Sequence, residues 1–147
     1  MIDVISAVLS LFAIVVSIYA AFTANKSAAA AIRSSNCGVI FDDYLIKKIP
    51  QARTTLRFED KGILCNGNNL CDALADMSMA ALFYRYDDKI FFDKLVKECS
   101  SLEDLIVEAG NKPKRFEDNQ HEFWQAVQKS LESIYRLIDK KRVGGKL

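Results

Sequence analysis

Arg115 and His121 are the two side chains of this sequence best spaced for chemistry. They bracket Arg115-Phe116-Glu117-Asp118-Asn119-Gln120-His121, at the expected start of a helix. A guanidinium steadies a phosphate and an imidazole moves a proton near neutral pH, so together they suit phosphodiester cleavage. His121 is the chain's single histidine, and the bland alternative is an exposed polar helix start. Asp87-Asp88 and Glu103-Asp104 look like helix caps and solvated faces, since no His or Lys spacing makes them an acid–base couple. The four cysteines, Cys37, Cys65, Cys71 and Cys99, form no C-x-x-C pair and with one His make no zinc set. They read as small buried hydrophobes, reduced in a cytosolic domain; Cys65 and Cys71 would close a small loop only in an extracytoplasmic one. No Gly-rich phosphate loop or G-x-S-x-G is present, so no cofactor is expected.

The 20 basic and 19 acidic residues leave a formal charge of +1. That balance argues against a dedicated nucleic-acid-binding domain, which would carry a marked basic excess. The 147 residues allow one anchor and one compact domain.

The anchor is the clearest feature. Between Val4 and Ala24 there is no charged side chain. About 20 apolar residues at 1.5 Å rise cross the roughly 30 Å hydrocarbon core of a bilayer, so the stretch predicts a transmembrane helix. Ser6, Ser10, Ala13, Ser17, Ala20 and Ala24 alternate steps of four and three, and the stepping continues through Ser27, Ala31, Ser34 and Gly38. In lipid, helices associate by close backbone approach along small residues, so this seam predicts a helix–helix interface. A second reading has Ser6, Ser10 and Ser17 lining a narrow polar path in a larger ring; a third is that small residues are simply common in such helices. A cleaved signal peptide fits less well. Met1-Ile2-Asp3 lacks Lys or Arg, and the apolar run exceeds an h-region of about 7–15 residues. Lys26 and Arg33 follow the span, which places the N-terminus outside and the domain in the cytosol by the positive-inside rule.

Beyond the anchor, Phe41, Tyr44, Leu45 and Ile49 recur at helical spacing, with Ser34–Gly38 as a weak spot before them and Pro50 as a stop or kink after them. Gln51–Phe58 is a short helix or an extended piece, and a small hairpin is possible around Asp60-Lys61-Gly62 with Ile63-Leu64 returning. Asn69 caps a helix over Leu70–Tyr86 whose inward stripe is Leu70, Ala73, Leu74, Met77, Ala81 and Tyr84. Asp87-Asp88 cap the next, Lys89–Ala109, which Gly110-Asn111 and Pro113 terminate. A last helix runs from Glu117 or Asp118 to about Lys141, with Phe123, Trp124, Val127, Leu131, Ile134, Tyr135 and Ile138 inward and Gly144-Gly145 at its end. Phe83, Tyr84, Phe91, Phe92, Phe123 and Trp124 are expected as core rather than as a ligand box. The basic end Lys140-Lys141-Arg142, with Lys146, suits the helix dipole and would touch anionic headgroups if that helix pointed back at the bilayer.

The expected fold is all-α, an N-terminal transmembrane helix followed by a small antiparallel helical bundle. Its parts are an anchor over 1–25, a helical connector over 26–50 and a cytosolic bundle over 51–147.

The seven residues Arg115–His121 resemble the active-site signature of the HEPN ribonucleases, all-helical proteins in which an Arg and a His act on the scissile phosphate, usually across a dimer. The resemblance assigns those roles to Arg115 and His121; Phe116 departs from it, since a polar residue commonly follows the Arg. The whole layout resembles small single-span bacterial proteins with a cytosolic helical domain in antiphage-defence and toxin modules. That resemblance implies a non-enzymatic, self-associating interaction or effector protein of the inner or plasma membrane. Its expected partners are the bilayer, further copies of itself through the anchor, and a protein bound by the cytosolic domain. A membrane-tethered ribonuclease and a pore-forming effector are the alternatives.

Overall fold

The computed structural model describes residues 2–59 and 62–143, with side chains from residue 13 onward except those of 33, 34 and 36. The tips expected at Asp60-Lys61 and at Gly144-Gly145, and Lys146, lie outside the described residues. The chain divides into two compact units, Met1–Asn36 and Cys37–Leu147; the connector expected over 26–50 falls across them.

Helix α1 (Ile2–Val39) runs unbroken through 34–38. The Ala-rich stretch before that weak spot and the packed residues after it override the modest helix cost of Ser and Asn there. A π-helical stretch, Ile40–Lys48, follows directly, and α2 (Ile49–Thr55) continues from it. Pro50 therefore neither ends nor kinks the path: it sits in the first turn of α2, where a missing N–H costs least. The π register explains how. The Ile49 N–H donates to the carbonyl of Tyr44, five residues back, so the next carbonyl, that of Leu45, would be met by the N–H that Pro50 lacks. The Tyr135 hydroxyl donates to it instead.

At Leu56 the backbone leaves the helix, with φ −72° and ψ 123°. Strands β1 (Arg57–Glu59) and β2 (Ile63–Cys65) then pair antiparallel with Phe58 opposite Leu64. The expectation of an all-α fold is corrected to a mostly helical one with this small two-stranded sheet. Gly62 turns it at φ +73°, and a Cβ there would lie 2.6 Å from the Pro113 carbonyl oxygen, so only glycine lets the hairpin approach so closely.

Helix α3 (Gly67–Ala80) starts earlier than Asn69. Asn66, at φ 60°, turns the chain into it and donates from its amide to the Thr55 carbonyl at 2.9 Å. A 3₁₀ turn (Ala81–Phe83) and the short α4 (Tyr84–Asp87) replace the end of the single expected helix. Helix α5 (Lys89–Asn111) is capped by Asp88, whose carboxylate accepts the Phe91 N–H at 3.1 Å. Pro113 opens a one-turn helix, α6 (Pro113–Phe116), rather than only stopping α5. Helix α7 spans Gln120–Arg142.

Helix α5 packs against both α3 and α7, and α2 against α3. Their apolar stripes meet: Leu70, Leu74 and Met77 of α3, Phe91, Leu95, Cys99 and Leu102 of α5, and Phe123, Val127, Ile134 and Ile138 of α7 are all buried. Phe58 reaches from β1 onto the rings of Phe123 and Trp124 at 5.1 and 6.0 Å, edge to face, the geometry aromatic quadrupoles favour.

Candidate functional site

Ala13, Ser17, Ala20, Ala24, Ser27 and Ala31 lie along one line of α1, as steps of three and four require on a helix. All are exposed, and so are the bulky Ile14, Val15, Ile18 and Phe22. Ser6 and Ser10 belong to the same helix, but their side chains lie outside the described ones. Among the described residues one continuous helical stretch, Ala13–Thr55, is long and apolar enough in part to cross a membrane, and none of that apolar part is buried.

The hydroxyls of Ser17 and Thr23 are already bonded. Ser17 Oγ donates to the Ala13 carbonyl at 2.8 Å, and Thr23 Oγ1 to those of Tyr19 and Ala20 at 2.8 and 3.0 Å. Such back-bonding removes the cost of carrying a bare donor into hydrocarbon. At Ser17 it also leaves shape, rather than a free O–H, as what the face offers a neighbour. Lys26 folds its ammonium over the Phe22 ring, 5.1 Å from its centre, so the first cation after the apolar run lies along it.

Arg115 and His121 are placed apart in their bonding. The Arg115 guanidinium pairs with Glu108 and leans over the Phe116 ring at 5.1 Å. His121 Nε2 meets the Gln125 amide at 2.8 Å, one turn further along α7. No hydrogen bond or ion pair joins Arg115 to His121. Lys112 and Arg115 both bond Glu108, and in that order hold its carboxyl below the usual carboxylate range. This describes a surface ion-pair cluster around Glu108, between α5 and α6.

A second polar cluster is partly buried. Cys37 Sγ points at the Ile138 carbonyl at 3.6 Å. Tyr84 is fully buried, and burial first, then the nearby Cys37, raises its phenol above the ordinary value. Lys141 pairs with Asp88 and lies 5.4 Å from the Tyr84 ring centre and 5.7 Å from that of Phe91. The cluster ties residue 37, α4, the start of α5 and the end of α7 together. Cys37 and Tyr84 are enclosed, Asp88 and Lys141 are partly exposed, and the cluster has a fastening role that spacing alone did not reveal.

All four cysteines are free thiols. Cys37 and Cys99 are buried as expected, while Cys65 and Cys71 are half-buried. Burial pushes the Cys99 thiol up to about 11. Among the described residues no three His, Cys, Asp or Glu side chains gather as metal ligands. One concavity, about 490 Å³, is an open groove between α2 and α7 over Ile49, Pro50, Arg53, Leu131 and Tyr135. Its mouth is apolar and the Tyr135 hydroxyl is already committed to Leu45.

What the stripe reading missed is a second apolar line on the same segment as the first. Met79, Leu82, Phe83, Tyr86 and Ile90 are exposed, although Phe83 was expected in the core. A helix serving one core needs one apolar stripe, and the segment 79–90 carries two. No protein-family model matches the chain, and no curated protein or solved structure matches it.

Proposed function

We propose that this chain is a single-span membrane protein whose α1 helix self-associates along its small-residue face. The unit Cys37–Leu147 is then presented in the cytosol as an antiparallel helical bundle that binds a partner protein or senses a signal. The supporting observation is the surface of α1: from residue 13 to residue 32 it is apolar, charged only at Lys26, and exposed throughout. Water penalises that surface at roughly 25 cal/mol per Å², and lipid removes the penalty. Lys26 and Arg33 after the span favour an outside N-terminus. Ala13, Ser17, Ala20 and Ala24 give two such helices a line of close approach. A role in bacterial antiphage defence is the setting the layout resemblance suggests.

The test is the triple substitution Ala13→Leu, Ser17→Leu, Ala20→Leu, with oligomeric state measured by light scattering in detergent. The parent is expected to be oligomeric and the variant monomeric, with the melting of Cys37–Leu147 unchanged. A monomeric parent, or a variant as oligomeric as the parent, overturns the self-association.

A further inference from the structure

One end of the unit Cys37–Leu147 collects the chain's arrival from α1, an exposed apolar strip and most of a basic cluster. Cys37 lies on the Ile138 carbonyl at 3.6 Å, and the Arg142 guanidinium sits over the Phe41 ring at 4.1 Å. The last turn of α7 is therefore packed against residues 37–41. Tyr84 and Phe91, beside Lys141, bring α4 and the start of α5 to the same place. On the outside of those two buried rings stand Phe83, edge-on to Tyr84 at 5.6 Å, and then Tyr86, 90% exposed, and Ile90, 60% exposed.

The charges here lean positive. Arg85, Lys89 and Lys140 are exposed, with Lys141 and Arg142 beside them, against the acidic Asp87, Asp88 and Asp139. Asp88 is taken by Lys141 and Asp139 by Arg142. Aromatic and aliphatic tips framed by cations are the composition of a surface that sits at a bilayer interface, where rings occupy the headgroup level and ammonium and guanidinium groups meet lipid phosphates. A protein-binding core would instead be depleted in Lys.

Reach agrees with this. About a dozen residues, 25–36, separate the end of the apolar run from Cys37, which as a helix is at most about 18 Å. A unit tethered so closely meets the bilayer surface at high effective concentration.

We propose that this end of the unit rests on the anionic surface of the membrane that α1 crosses. Phe83, Tyr86 and Ile90 enter the interface, and Arg85, Lys89 and Lys140 face the lipid phosphates. The inference rests on α1 being a span, and its test separates the two. The full chain is reconstituted in brominated phosphatidylcholine vesicles with and without phosphatidylglycerol. A tryptophan is added singly by Phe22→Trp, Tyr86→Trp or Val107→Trp, and quenching is read as the difference from the parent with Trp124 alone. Val107 is exposed on α5, some 26 Å along the helix from Ile90 at 1.5 Å per residue.

Quenching of Phe22→Trp reports the span itself. With the span in place, Tyr86→Trp is expected to be quenched at least about twofold more than Val107→Trp in the anionic vesicles. Lys89→Glu with Lys140→Glu should erase that difference. Equal quenching of Tyr86→Trp and Val107→Trp, with Phe22→Trp quenched, overturns the proposal and leaves the span standing. So does a Tyr86→Trp shielded from both the lipid quencher and aqueous acrylamide, because a second copy or another protein then covers the strip. An unquenched Phe22→Trp overturns the span.

Discussion

Ile18 of α1 and Ile138 of α7 are the same side chain in opposite circumstances. Ile18 is 65% exposed, whereas Ile138 is fully buried. The contrast holds for the two units as wholes. In Cys37–Leu147 the apolar stripes of α3, α5 and α7 close on one another and bury their own surface. In Met1–Asn36 the described apolar side chains from residue 13 to 32 have nothing within the unit to close on. One unit buries its apolar surface, and the other leaves its described apolar side chains exposed. That difference, more than any single residue, supports the proposed transmembrane span, because apolar surface left in water is disfavoured.

The largest expected effect sharpens the contrast directly. Phe123→Ala removes a buried ring that touches Phe58, Phe116 and Trp124 and should destabilise Cys37–Leu147 by about 3–5 kcal/mol. Phe22→Ala should leave the same unfolding transition where it was. Urea melts of the full chain in detergent, followed by Trp124 fluorescence, compare the two; equal losses would break the distinction between the units.

Next in size is Tyr135→Phe. It strips the hydroxyl from the Leu45 carbonyl that Pro50 leaves without a backbone donor, a cost of about 1–3 kcal/mol in the same melt. Restoring an N–H by Pro50→Ala in that background should recover part of the loss. Asp88→Ala follows, removing both the cap on Phe91 and the partner of Lys141, for about 1–2 kcal/mol.

A smaller signal separates the thiols: without denaturant, iodoacetamide should modify Cys65 and Cys71 well before Cys99. Burial raises the thiols of both half-buried residues too, but Cys99 is closed off and held near 11. The smallest effect is in acid. Because Lys112 and Arg115 lower the Glu108 pKa in the folded chain, the support that carboxylate provides is present above its ordinary unfolded pKa of about 4.3. It is lost as pH falls through the lower folded value. Glu108→Gln should therefore flatten the dependence of the melting midpoint on pH only below about pH 5.

Much of the helical core was legible because it obeys one rule at a time. In α5 and α7 each buried residue falls on a single stripe, and Asp88 caps where an Asp before an apolar run should. The hairpin was legible from Gly62 and its polar neighbours. Two features were not, each because a tertiary partner decides it. Pro50 sits within a continuous helical path because a π-helical register and a tyrosine 85 positions later remove its penalty. Gly67 and Asn66 start α3 because Thr55, across the hairpin, receives the Asn66 amide. Phe83 is outside because it lies off the inward stripe that ends in Ala81 and Tyr84, so its exposure was legible there although it was expected in the core. For the candidate site, the spacing of the α1 seam was plain in the sequence. The described seam residues are exposed, so packing within the chain does not decide what the seam does.

The most direct measurement is extraction of membranes from cells expressing the full chain, washed in alkaline carbonate and centrifuged. Residence of α1 in the bilayer predicts that the protein stays in the membrane pellet and leaves it only with detergent. Recovery in the supernatant as a monomer, with no detergent added, would contradict that central claim.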